Sequence, residues 1–186
     1  DIGGSTKMKL RGTGRLGIGT TTPSQALDVV GSIEVSDGIY IGGTGDANKL
    51  DDYEEGSHVV TMTDTGGGAT ITPHNSYKTL AYVKVGRLVH VQGVLLVSAI
   101  SGTMSGTLKI TLPFASATIS AGAGRSYLTL GAYNVDFTAG TSPYGAVAQG
   151  QSYFACEVSG DSIGGGQYRV STSSQIYVAG TYYASA

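Results

Sequence analysis

Charge is the scarcest property of this 186-residue chain. Eleven Lys and Arg with thirteen Asp and Glu make up 13% of it, about half the usual globular share. The formal charge of -2 leaves no basic stripe, which excludes a general nucleic-acid binder. Tryptophan is absent, and there are only three Phe, four Pro and one Cys. A lone Cys156 excludes an intrachain disulfide framework and a cysteine-based zinc site. Long apolar runs are missing too. The longest low-charge stretch, Leu88 to Leu108, carries His90, Gln92 and Gly93 and alternates with period two, so it reads as strands and not as a bilayer helix. No charged-then-apolar leader follows Asp1, so no targeting address is legible and the chain is a candidate piece of a longer protein.

Against these shortages stand 30 Gly, 12 Tyr and a hydrophobic content of 40%. That apolar content is too high for a disordered tail, which normally carries high charge. The glycines do not recur every third residue, so a collagen helix is excluded. Charge is also uneven: residues 88–186 hold only Lys109, Arg125, Asp136, Glu157, Asp161 and Arg169. The acidic stretch Asp46–Gly56 marks the divide, giving an N-terminal segment 1–52 and a C-terminal head 53–186. Upstream, apolar pieces such as Lys7–Leu10, Leu16–Ile18, Ala26–Val30, Ile33–Val35 and Ile39–Ile41 are cut short by glycine. Pieces this short cannot bury a core alone, which predicts an obligate oligomer whose copies wind together. A helical turn is expected at most at Pro23–Leu27, with Thr22 as cap. Downstream, Thr79–Val85 and Leu88–Val97 flank Gly86-Arg87, a pairing that predicts a two-residue type II′ hairpin. Further strands are expected at Thr107–Leu112, Ser126–Phe137, Ser152–Val158, Gln167–Ser173 and Gln175–Tyr183. With no long 3.6-residue period, the fold class is all-β: a short intertwined shaft, then an antiparallel, jelly-roll-like β-sandwich head.

Several strings invite chemistry and fail on context. Gly12–Gly17 matches GxGxxG, but no helix follows it, as dinucleotide binding requires. Gly160-Asp-Ser-Ile-Gly-Gly165 resembles an esterase motif, yet no His, Asp or Glu lies beyond Ser162. The order His58, Asp136, Ser162 is available for a triad, but order alone does not bring three groups within reach. Asp46, Asp51, Asp52, Glu54 and Glu55 could supply paired carboxylates or calcium ligands. Lys49 sits among them and Leu50 falls where a ligand belongs, so a solvated junction is expected. His58, His74 and His90 lack metal-site pairing, although in a threefold assembly one of them could meet its copies on the axis. No catalytic residue, cofactor or metal is expected.

The tyrosines carry the strongest signal. Eight of the twelve fall between residues 127 and 183, among Ser, Gly, Thr, Gln and Asn, the chemistry of adaptable recognition surfaces. The candidate binding residues are Tyr144, Tyr127, Tyr133, Gln149, Tyr153 and Tyr168. Tyr is also a good strand former, and both readings stand for Tyr133, Tyr177 and Tyr182. Tyr144 lies in the stretch Thr138–Gly145, read as a loop with no strand role.

Three segments carry a resemblance. Arg15-Leu-Gly-Ile-Gly-Thr-Thr-Thr-Pro-Ser-Gln-Ala-Leu-Asp-Val-Val-Gly-Ser-Ile33 is similar to a segment recurring in bacteriophage tail-fibre and tailspike proteins. Leu50-Asp-Asp-Tyr-Glu-Glu-Gly56 resembles the junction before the C-terminal heads of such fibres. Tyr82–Gly93 with Gly106–Phe114 resembles a pattern within those heads. After Gly56 the chain departs from the aromatic stretch usual in that group, reading Ser-His-Val-Val-Thr. The resemblance implies a homotrimeric, β-rich distal tail-fibre segment of the virion, joined upstream to the rest of the fibre and baseplate. Its implied partner is a receptor on the bacterial host, often a surface polysaccharide. The near-neutral balance argues for an uncharged or mixed glycan. Two further readings stay open: a glycan-degrading tailspike fragment using carboxylates of neighbouring chains, and a non-viral trimeric adhesin.

Overall fold

A computed structural model describes residues 8–136, 142–159, 166–167 and 169–185. It is all-β, and the chain divides into two compact units, 1–49 and 50–186.

The first unit is a set of very short strands. β1 (Met8–Leu10) pairs antiparallel with β2 (Leu16–Ile18), which pairs parallel with β3 (Leu27–Val29). At Pro23–Leu27 no helical turn forms. The Asp28 carboxylate instead accepts from both the backbone N–H and the hydroxyl of Ser24, at 2.8 and 3.0 Å. Farther on, β4 (Ile39–Tyr40) pairs with β5 (Lys49–Leu50), and the Lys49 ammonium lies 2.9 Å from Asp37. Among the described residues 8–49, only Gly17 and Pro23 are buried. Met8, Leu10, Leu27, Val30, Ile33, Ile39 and Ile41 are all exposed. In a single copy, the described part of this unit therefore has no apolar interior.

The second unit contains β6 (Tyr53–Val59), β7 (Met62–Asp64), β8 (Ala69–Pro73), β9 (Thr79–Val85), β10 (Leu88–Gly102) and β11 (Leu108–Thr111). It continues with β12 (Ser126–Asp136), β13 (Ser142–Val147), β14 (Tyr153–Ser159), β15 (Gly166–Gln167) and β16 (Arg169–Tyr183). The hydrogen-bonded order runs β16-β12-β13-β14-β11-β7-β8-β10, and β10 pairs again with β16. All these pairings are antiparallel. The path thus closes into a circuit of eight strands, and closure removes open edges. β9 and β6 extend as a ribbon from the first half of β10, while β15 lies beside β14.

Alternation decides what fills the circuit, because successive side chains on a strand face opposite sides. Val89, Val91, Leu95 and Val97 point in from β10, Leu128 and Leu130 from β12, and Phe154, Cys156 and Val158 from β14. Ile176, Val178 and Tyr182 do the same from β16, with Leu108 and Ile110 from β11. The intervening residues face out. At the hairpin between β9 and β10, Gly86 has a φ of +56° and Arg87 is not in the positive region, the pattern of a type II′ turn.

Four strands were not foreseen. β6 is polar and charged, β7 and β8 are short, and β13 contains Pro143 and Gly145. The last corrects the loop reading of Thr138–Gly145, of which residues 138–141 lie outside the described residues. Ladders on both sides hold β13 extended: Ser126–Thr129 of β12 and Ala155–Ser159 of β14. Pro143 lies opposite Val158 of β14, while the β12 ladder starts only at Tyr144, so Pro143 is paired on one side alone. From Arg169 on, the two strands expected at 167–173 and 175–183 merge into β16, which is irregular at Ser173 (φ +72°) opposite Asn134 (φ +55°). Gln167 falls in β15, and Tyr168 lies outside the described residues.

Candidate functional site

The outward face of β12, β13, β14 and β11 carries an open groove of about 310 Å³. Register builds it. Tyr127, Ala146, Ala155 and Lys109 lie opposite one another across the four strands, and the next outward row brings Thr129, Tyr144 and Glu157 together. The small side chains of Ala146 and Ala155 make a low floor. Around it stand Tyr127, Tyr153, Glu157 and Arg125. Tyr127 is 69% exposed.

Tyr144 stands beside this groove rather than in its lining. Its ring meets that of Tyr127 edge-on, with centroids 5.4 Å apart, and its hydroxyl donates to Glu157 Oε2 at 2.7 Å. That hydrogen bond, with lesser contributions from burial and the Glu157 charge, pushes the Tyr144 hydroxyl up to about 12. Lys109 Nζ lies 5.0 Å from the Tyr153 ring centroid, a favourable cation–π placement. Arg125 is exposed at the end of the loop before β12, where its N–H bonds Gly122. Its guanidinium has no hydrogen-bond or ion-pair partner among the described residues.

The structure brings Tyr127, Tyr144 and Tyr153 together and separates the other candidates. Gln149 is occupied in bracing the loop: its Oε1 accepts the Ile119 N–H at 2.6 Å. Tyr133 faces out elsewhere, in register with Gln175. Near it a second groove of about 320 Å³ is lined by Tyr77, Val94, Leu96, Gln175 and Tyr177. Tyr168 and the string Gly160–Gly165 lie outside the described residues. Arg125, Lys109 and Glu157 were not singled out as binding residues. Their signal was their rarity, since they are three of the six charges in residues 88–186.

The remaining candidates disperse into structural contacts. Asp52 pairs with Lys84, Glu54 accepts from the Tyr82 hydroxyl, and Glu55 accepts from Tyr53 at 3.3 Å. Asp64, 3% exposed, is held by backbone N–H groups of Gly68, Ala69 and Ser105. His58 Nε2 lies 3.0 Å from Thr111 Oγ1, and partial burial lowers its pKa. His74 Nδ1 accepts the Ser76 N–H at 3.1 Å, and His90 is exposed on β10. Complete burial of Cys156 pushes its thiol well up, which keeps it protonated and unreactive. Among the described residues no three His, Cys, Asp or Glu gather as a metal site, and no helix is long and apolar enough to cross a membrane. Compared with known proteins, the chain matches no family model, no curated protein and no solved structure.

Proposed function

We propose that this chain is the distal segment of a homotrimeric bacteriophage tail fibre, whose C-terminal head binds a glycan receptor on the bacterial host without cleaving it. The observation that carries the binding reading is the tyrosine-walled groove over Ala146 and Ala155. Flat aromatic faces suit the CH faces of a sugar, and Tyr hydroxyls, Arg125 and Glu157 suit its hydroxyls. The proposed shaft is residues 1–52 and the jelly-roll-like head residues 53–186. The shaft reading draws on the exposed apolar side chains of β1 to β4, which copies winding together would cover. Threefold repetition multiplies weak individual sites into useful avidity.

Two carboxylates of the head support binding over hydrolysis. Asp64 is saturated by backbone donors and Glu157 is engaged by Tyr144. Tyr127→Ala and Tyr144→Ala are expected to weaken attachment to host cells at least tenfold, with the oligomer intact by sedimentation. Unchanged attachment by both variants removes this groove from the receptor site. Incubation with host polysaccharide should release no new reducing ends, and steady release would establish the glycan-degrading reading instead.

A further inference from the structure

Charge is rare in the head, yet three of its charges converge on one groove. Residues 88–186 hold six charged side chains. Arg125 and Glu157 line the groove, and Lys109 stands over the ring of Tyr153, another lining residue. The acidic member is already engaged, because the Tyr144 hydroxyl donates to Glu157 at 2.7 Å. Neither cation has an ion-pair partner among the described residues. Among the described residues the charges at the groove therefore sum to one positive charge.

We infer that the groove takes a saccharide bearing a single negative charge, its anionic group held by Arg125 and its ring lying on Tyr127. The planar guanidinium fork matches carboxylate and phosphate oxygens alike, two N–H donors to two oxygens. A net charge of one fits a hexuronate carboxylate or a phosphodiester link better than a phosphate monoester, which carries nearly two negative charges. Glu157, turned toward Tyr144, repels a second anion and leaves room for hydroxyl donors. The whole-chain charge of -2 is no obstacle, since screening confines such an attraction to about 10 Å of the groove at ordinary salt.

This inference rests on the groove being the receptor site, and the test separates the two. The full chain is titrated with three probes: a tetrasaccharide with one hexuronate residue, the same tetrasaccharide with that carboxylate reduced to an alcohol, and a sugar dimer joined by one phosphodiester. The hexuronate probe, the phosphodiester probe or both should bind about 5- to 10-fold more tightly than the reduced one, the size expected of an exposed charge-assisted contact. Arg125→Gln should abolish that preference, bringing the anionic probes down to the affinity of the reduced one. Arg125→Lys should restore only part of it, and added salt should narrow it. Which anionic probe wins names the source of the charge. Equal binding of all three probes, lost in Tyr127→Ala, overturns the charge inference and leaves the groove as the receptor site. A preference that survives Arg125→Gln overturns it as well. Failure of every probe to bind also overturns it; host-cell attachment by Tyr127→Ala then decides separately whether the groove is a site at all.

Discussion

Tyr144 stands beside the groove and shapes it through two neighbours, the ring of Tyr127 and the carboxylate of Glu157. Its hydroxyl proton is held by that carboxylate, so the folded chain binds it more tightly than the unfolded chain does. The stability this provides is present below pH 10 and is lost as pH rises through about 12. In NMR of isotope-labelled tyrosines, Glu157→Gln should bring the Tyr144 titration down toward 10.0. Tyr182, also raised to about 12 but by burial, should not move. A Tyr144 titration indifferent to Glu157→Gln contradicts the hydrogen bond. Asp64 shows the opposite sign. The Ser105 N–H, joined by those of Ala69 and Gly68, holds its carboxyl below the ordinary 3.8. Its stabilising effect is complete above that value and is lost as pH falls through the lower folded-state pKa. Asp64→Asn should therefore lower the Tm near neutrality and flatten the loss of Tm as pH falls below 3.8. The same acid sensitivity in both proteins would assign that loss to other groups.

At the scale of elements, the legible strands were those whose pattern and turn agreed. β9 and β10 alternate cleanly around Gly86, and β12, β14 and most of β16 alternate too. The illegible ones are strands by virtue of their neighbours. β6 has no apolar face of its own and is extended because β9 pairs with it from Tyr53 to Val59. β13 carries turn residues, yet β12 and β14 hold it between them. That gap hid the site. With Tyr144 placed in a loop, its pairing with Glu157 and the row beside Ala146 could not be read. The tyrosine content was visible, but which tyrosines share a face depends on register between strands distant in sequence. Gly145 shows how closely β13 is fitted. A Cβ there would lie 2.9 Å from Phe154 Cδ2 and 3.1 Å from Leu128 Cβ. Gly145→Ala should cost about 1–3 kcal/mol through overpacking, measured as a lower urea midpoint with an unchanged slope. An undiminished midpoint would mean that the Phe154 ring gives way freely.

At the scale of the whole molecule, the two units differ in what they can do alone. The C-terminal unit has a continuous interior, whereas the described part of the N-terminal unit buries only Gly17 and Pro23. Sedimentation of the full chain should show trimers, and a fragment of residues 50–186 should keep its sheet by circular dichroism. A stable folded monomer of the full chain would defeat the shaft reading. The eight-strand circuit has a further consequence, for the order of events on the ribosome. Its closing strand, β16, is the last of the eight to be synthesised, and it must pair with β12 and also with β10, made 79 to 95 residues earlier, from Leu96↔Gln175 to Leu88↔Tyr183. Until then β10 and β12 each present an unpaired strand edge in the nascent chain, open to pairing with another copy. Release of β16 is thus the step at which productive closure and misassembly compete, and slow elongation upstream of it would lengthen that exposure.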